Sequence, residues 1–327
     1  MGCFAGFFGT WLMNAGRRGR LFETLRDRGP LAADELAAAL GYEHRYVETW
    51  CRGAYAFELL DEQDGRFRLA EGVAEIMLDS TDPSFMGGRA EFFPLLTPDL
   101  EMYAERMADG GLYPLSERPP SVVDTLQAAV RADAPNAIAN VLPQEPGLVE
   151  RLRAGGSVLD AGCGAGYGLA AFAEAFPQAE LVGIDLDEES LSRARARLGA
   201  RAALERVHVT EAVWAGRFDL VYANIAISHT WGSGPEVFAA LLRLLRPGGA
   251  LLCSDVPDPA SLADLRSPAG RLFTGVTAYV SLLGFTLLTP EALVARLQAA
   301  GFDEPRIAQQ PARTRMMALA RRPLAAP

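Results

Sequence analysis

Residues 158–168 read VLDAGCGAGYG. An apolar run enters an aspartate, Asp160, and then meets glycine at 162, 164, 166 and 168. The run reads as a strand, and GYGLAAFAEAFP behind it as a helix. A strand, a glycine-rich turn and a helix start make a cradle, because the first amides of a helix lack intrahelical partners. Three ligands compete for it: the pyrophosphate of a dinucleotide, a triphosphate, or a molecule of different charge.

The same alternation continues outward. ELVGIDL, RVHVT, FDLVYANIAI and ALLCSDV read as strands. EESLSRARARLGA, PEVFAALLRLLRPGG and TPEALVARLQAAGF read as helices, and EPRIAQQ with RMMALARR as a closing antiparallel pair. This predicts an α/β fold over 150–327. It is a Rossmann-like, doubly wound sheet of seven strands, mostly parallel with an antiparallel last strand. Ligands of such sheets bind outside the carboxyl ends of the strands, where the glycine loop lies.

Charge then decides between ligands. The chain has no lysine; its 31 basic residues are all arginine. That excludes the phosphate-binding P-loop lysine and Schiff-base catalysis. A GxGxxA spacing exists from Gly166 to Ala171, but inside the expected helix rather than at the turn. Asp160 would oppose a pyrophosphate at short range and favour a positively charged ligand. S-adenosylmethionine (SAM) carries a sulfonium and an ammonium, and its one carboxylate can use amides at a helix start. Asp185, closing the second strand, is placed to accept ribose hydroxyls. The alternative is a tight turn with incidental acids. The loop, the second acid and the LLRPGG turn together favour a nucleoside with positive charge.

VLDAGCGAGYG, GIDLDEESL, FDLVYANIAISH and LLRPGGALL resemble the successive motifs of class I SAM-dependent methyltransferases. LFETLRDRGPLAADELAAALGYEHRYVETW resembles the winged-helix domain that precedes the catalytic domain in an actinobacterial family, similar to natural-product small-molecule O-methyltransferases. The resemblance implies that Asp160, Gly162, Gly164 and Gly166 line the methionine end of SAM. It implies that Asp185 holds the ribose, Leu186 flanks the adenine, and Glu211 stands near the adenine amine. Cys163 in the loop and Asn224 at the end of the fourth strand complete the expected cofactor contacts. S-adenosylhomocysteine (SAH) would be the product, and a homodimer is expected.

The acceptor side turns on a base, because O-methylation needs a hydroxyl proton removed. Of His44, His208 and His229, only His229 falls near the expected pocket, in ISHTWG at the end of the fourth strand. SHTW resembles the HDW of O-methyltransferases, whose histidine is the base, with Thr230 replacing the aspartate. Ser228 competes with His229 for that position. Asp255, after the fifth strand, is a candidate partner for His229, a cap for the next turn, or a second ligand of a metal. One nearby histidine does not support a metal site. Phe4, Phe7, Phe8, Trp11 and Met13 offer a lid or dimer contact, and Met102, Tyr103, Met107 and Tyr113 an apolar pocket lining. The acceptor expected is a small, apolar or aromatic molecule of secondary metabolism.

Domain organisation follows from the pattern. Residues 1–82 read as a winged-helix dimerisation and lid domain, 83–149 as a proline-rich helical linker and substrate lid, and 150–327 as the SAM-binding domain. Net charge is -10, which argues against nucleic acid and anionic membranes as partners. The four cysteines are scattered without CxxC spacing, as expected of free thiols in a cytoplasmic protein. No signal peptide and no membrane span are expected. Two other readings stand beside the methyltransferase. One is a SAM-binding enzyme of this fold with other chemistry. The other is a DNA-binding regulator sensing SAM, against which the acids and aromatics of EHRYVETWCRGAYAFELL speak.

Overall fold

The computed structural model describes residues 2–82, 84–309 and 315–324. The chain divides into two compact units, Met1–Pro98 with Pro119–Ala132, and Asp99–Arg118 with Asp133–Pro327.

The first unit is mainly helical. Helices Leu21–Arg28, Ala33–Leu40 and His44–Ala56 lead into an antiparallel hairpin, β1 (Leu60–Gln63) and β2 (Arg66–Leu69). Asp64 and Gly65 turn it with φ of 54° and 77°, the two left-handed positions that a tight hairpin needs. Phe22, Leu36, Trp50, Cys51 and Met77 form the core, with Trp50 edge-on to Phe22 at 5.3 Å. Trp50 Nε1 donates to the Leu12 carbonyl at 2.9 Å.

Leu12 belongs to a helix that sequence periodicity misses, Gly2–Arg18. Glycines there read as breakers, each disfavouring a helix by about 1 kcal/mol relative to alanine. Packing overrides them. A Cβ on Gly16 would sit 2.4 Å from Phe22 and 2.6 Å from Trp50, so the helix backbone lies directly on the aromatic core. Gly16→Ala is therefore expected to destabilise the protein by about 1–3 kcal/mol through overpacking, despite alanine's better helix propensity. Urea unfolding of the two proteins checks this, and an unchanged or higher midpoint would refute it.

The second unit holds a seven-stranded sheet: β3 (Ser157–Ala161), β4 (Glu180–Asp185), β5 (Ala203–Arg206), β6 (Phe218–Asn224), β7 (Leu245–Asp255), β8 (Asp303–Ile307) and β9 (Met316–Arg321). Their order is β5-β4-β3-β6-β7-β9-β8. All pairs are parallel except β7·β9 and β8·β9. The expected α/β, Rossmann-like sheet is thus present, with β9 the antiparallel strand. Chain order reverses beside β3, which lies between β4 and β6, so the switch point falls at Asp160 and the glycine loop. β3 is buried along its whole length, consistent with a central parallel strand covered on both faces.

Two segments differ from the sequence reading. The third strand is Ala203–Arg206, not RVHVT at 206–210. The Val207-His208-Val209 alternation mimics a strand, but Val209 is fully buried in the core and His208 Nδ1 meets Thr210 Oγ1 at 2.7 Å in a turn. His208 is accordingly no strand residue; its ring packs edge-on to Trp231. The helix Pro268–Leu282 has no counterpart in the sequence reading. Its signal was present, since Ser267 accepts from the Gly270 amide as an N-cap and Pro268 takes the first helical position.

Candidate active site

The glycine loop takes the shape of a close backbone approach. Gly162, Gly164 and Gly166 have φ of 94°, 50° and 77°, a region costly for any residue with a Cβ. A Cβ on Gly162 would meet Ala226 at 2.8 Å. The amides of Gly162 and Cys163 donate to the Ile184 carbonyl at 2.8 and 3.0 Å, which pins the loop to the end of β4. Helix Tyr167–Ala175 starts directly after Gly166.

Asp160 lies at the carboxyl end of β3, in register with Gly183 and Tyr222. A Cβ on Gly168 would sit 2.6 Å from its Oδ2, so its carboxyl lies against the start of the next helix. Burial first, and then the charge of Asp185, push its pKa up to about 8. Asp185 is also raised by burial. Its carboxylate accepts from the amides of Gly164 (2.8 Å), Leu186 (2.7 Å) and Asp187 (3.0 Å). It therefore braces the loop against β4, keeping roughly one acceptor site of a carboxylate's four.

The other expected cofactor residues are placed unequally. Leu186 is half exposed just beyond β4. The Cys163 thiol is buried in the core beneath the loop, its pKa raised by burial, so that residue has only backbone to offer a ligand. Glu211 is exposed in the turn after β5. Asn224, closing β6, donates from Nδ2 to Asp133 at 3.3 Å, while its Oδ1 is buried without a hydrogen-bond partner.

Beyond Asn224 the backbone is strained. Ile225 holds φ of 55°, which a β-branched residue rarely adopts, and donates its amide to the Ser254 carbonyl at 2.6 Å. One turn of π-helix follows, Ile227–Trp231, a form found often at functional sites. Trp231 Nε1 donates to the Ala161 carbonyl at 3.3 Å, tying this turn to the end of β3.

The turn brings Ser228, His229 and Asp255 into one chain. Ser228 Oγ donates to Asp255 Oδ1 at 2.5 Å and lies 2.7 Å from His229 Nδ1. Asp255 also accepts the amides of Ser228 and Val256. Burial raises the Asp255 pKa to about 6 against the pull of Ser228, Val256 and Arg315. At neutral pH the carboxylate can only accept, so the Ser228 proton points to it. That order puts the proton of the neutral ring on His229 Nδ1 and its lone pair on Nε2, and the ring also bonds the Ile225 backbone. Burial, Arg315 and Arg118, in that order, lower the His229 pKa to about 3, so the ring is neutral.

Sequence reading missed the cations and the ring beside this base. Tyr279, on helix Pro268–Leu282, has its ring 5.6 Å from that of His229. Arg118 lies 4.7 Å from the Tyr279 ring centroid. Arg315 pairs with buried Asp133 at 2.8 Å. These residues come from distant parts of the chain, and no local spacing marks them. Tyr113 does join this group, beneath Arg118, whereas Met107 is 70% exposed and lines nothing. Among the described residues no cluster of three or more His, Cys, Asp or Glu could hold a metal, and no helix is long and apolar enough to cross a membrane.

The fold has known counterparts. An S-adenosylmethionine-dependent methyltransferase, SibL, superposes with a TM-score of 0.72 over 99% of both chains at 20% identity. Human N-acetylserotonin methyltransferase, solved with SAM, gives 0.72 at 17% identity, over 97% of this chain and 95% of that one. The fold is that of the SAM-dependent methyltransferases. Residues 158–249 match the family model described as a methyltransferase domain. A trans-aconitate 2-methyltransferase of Deinococcus radiodurans is 35% identical over 152 residues, 44% of this chain and 57% of the relative. A phosphoethanolamine N-methyltransferase of Triticum aestivum is 32% identical over 157 residues, 47% of this chain and 29% of the relative. The chain thus spans less than two thirds of the length of the curated relatives it matches.

Proposed function

We propose that the protein is a SAM-dependent methyltransferase acting on a small molecule, with a hydroxyl oxygen as acceptor and His229 as base. The observation that carries the oxygen reading is the Asp255–Ser228–His229 chain, whose hydrogen-bond order puts the imidazole's lone pair on Nε2. Solved structures of similar fold include a mitomycin 7-O-methyltransferase and a pyocyanin biosynthetic protein, PhzM.

The donor set suits SAM. A ligand with two positive centres suits a buried acid, Asp160, and an orphaned buried acceptor, Asn224 Oδ1. The glycine loop admits close approach, and Asp185 with Leu186 stands where a ribose and adenine would follow. Bound there, SAM supplies an activated methyl group together with its leaving group. The chain's own part is to hold the acceptor in line and to receive its hydroxyl proton on His229 Nε2. Ser228 and Asp255 hold the imidazole in the tautomer that can do so.

Calorimetric titration with SAM, SAH and NAD, repeated on Asp185→Ala, tests the reading. Expected are micromolar SAM and SAH affinities, lost in the variant, and no NAD binding. Absence of SAM binding would refute it. Proton linkage adds a sharper test. Asp160, raised to about 8, is protonated at pH 7 in the free protein, and a cation beside it favours the ionised form. SAM binding should therefore release a proton, and its affinity should rise about tenfold per pH unit between pH 6 and 8. Titration in buffers of different ionisation enthalpy counts the proton; Asp160→Asn should abolish the release.

The first unit is proposed as a winged-helix dimerisation domain. Phe4, Phe7, Phe8 and Trp11 on helix Gly2–Arg18 are 73%, 56%, 61% and 42% exposed, an apolar face suited to a second copy of the chain. Sedimentation should show a dimer that Phe7→Asp with Phe8→Asp converts to monomer.

A further inference from the structure

We infer that Arg118 is the docking point for a carboxylate on the methyl acceptor, so that the substrate is a small hydroxy acid. The inference rests on the methyltransferase reading and deepens it.

The Arg118 side chain is 1% exposed. Its guanidinium is held from several sides. The rings of Tyr113 and Tyr279 have centroids 4.8 and 4.7 Å from Cζ. Nη2 donates to the Tyr113 carbonyl at 2.9 Å and pairs with Asp99 Oδ1 at 2.8 Å. Both of these contacts fall on Nη2, and Tyr279 also meets the guanidinium. Nε and Nη1 are buried without hydrogen-bond partners. Buried donors are rarely left in this state unless something else completes them. An arginine that served only to close the 99–118 segment onto the helix at Tyr279 would be expected to spend these donors on carbonyls nearby, as Arg201 does on those of Ala179 and Phe176.

Position argues for a substrate group. Tyr279 is shared, with Arg118 against its ring and His229 also beside it at 5.6 Å. Arg118 and the base are thus neighbours through one side chain. A small molecule whose hydroxyl meets His229 can place a second group on Arg118. Asp99 does not saturate the cation, and burial raises its own pKa, so its charge is held weakly. A carboxylate suits the remaining donors, because arginine matches its planar, two-oxygen geometry. Its charge would also offset the positive field of Arg118 that helps depress the His229 pKa, making the imidazole a stronger base when the acceptor is seated.

The test uses the full chain with SAH bound and a panel of aliphatic and aromatic hydroxy acids, each paired with its methyl ester. Wild-type protein should bind the preferred acids about tenfold or more tighter than their esters, the size of one charge-assisted hydrogen bond. Arg118→Gln should erase the difference while SAH affinity stays. Because Arg118→Gln leaves Asp99 buried without its partner, the double variant Arg118→Gln with Asp99→Asn is the companion. It keeps shape and neutrality, and should fold, bind SAH and show no acid preference. Acid preference kept in either folded variant, or no preference in any pair with the wild type, overturns the inference. Wild-type protein that binds no SAH would instead sink the methyltransferase reading. SAH binding without acid preference sinks the inference alone.

Discussion

His229→Ala is expected to lower kcat for methyl transfer by roughly 10²–10⁴-fold, the usual contribution of a positioned general base, while SAH affinity stays within about twofold of wild type. The split follows from where the residue sits. His229 belongs to the π-turn after β6, whereas the glycine loop and Asp185 belong to β3 and β4. His229→Asn is the stricter variant, since it keeps a polar side chain in place of the ring but offers no lone pair of comparable basicity. Single-turnover rates with SAM saturating would separate chemistry from product release. A kcat unchanged in both variants would remove His229 from the mechanism. A loss of SAH affinity equal to the loss of rate would show instead that the residue shapes the cofactor pocket.

The parts of the protein legible in sequence are those encoded locally. The strand, glycine loop and helix at 158–175 carry their own periodicity, and so do the acids that close β3 and β4. Asn224 and His229 could be located on the chain because one closes and the other follows a strand of clear apolar pattern. What could not be read depends on contacts between distant segments. Arg118 comes from a stretch of prolines and gains meaning only when Tyr279 lies against it. Helix Gly2–Arg18 forms because Gly16 fits against Phe22 and Trp50, a relation that local propensity scores backwards. Cys163 shows another thing that local pattern does not carry, the direction of a side chain. It lies within the expected motif, yet the turn sends its thiol into the core under Gly183. Nor could sequence choose between Ser228 and His229. The structure links them, with the serine between the imidazole and Asp255.

Asp255→Asn should then lower kcat by about 10²-fold or more, because the neighbouring imidazole loses the group that fixes its tautomer. Its pH dependence carries the sharper signature. Above the Asp255 pKa of about 6 the carboxylate only accepts, and the proton order runs from His229 Nδ1 to Ser228 to Asp255. Below it, a neutral Asp255 can donate to Ser228, whose hydroxyl then donates to Nδ1. The one proton of the neutral imidazole moves to Nε2, and the lone pair that should receive the acceptor's proton is gone. The wild-type kcat should therefore rise with pH through an apparent pKa near 6. Protonation of His229 itself cannot produce that limb, since its own pKa is depressed to about 3. In Asp255→Asn the limb near 6 should vanish along with most of the rate. The same titration affects stability with a definite sign. A carboxyl raised by folding favours the native state at low pH, and that contribution fades as pH rises from the ordinary aspartate range through about 6. Asp255→Asn should thus gain stability relative to wild type as pH is raised from 4 to 7, while it loses activity. A limb near 6 that persists in the variant would assign it to another group, and wild-type activity flat down to pH 4 would remove the tautomer argument altogether.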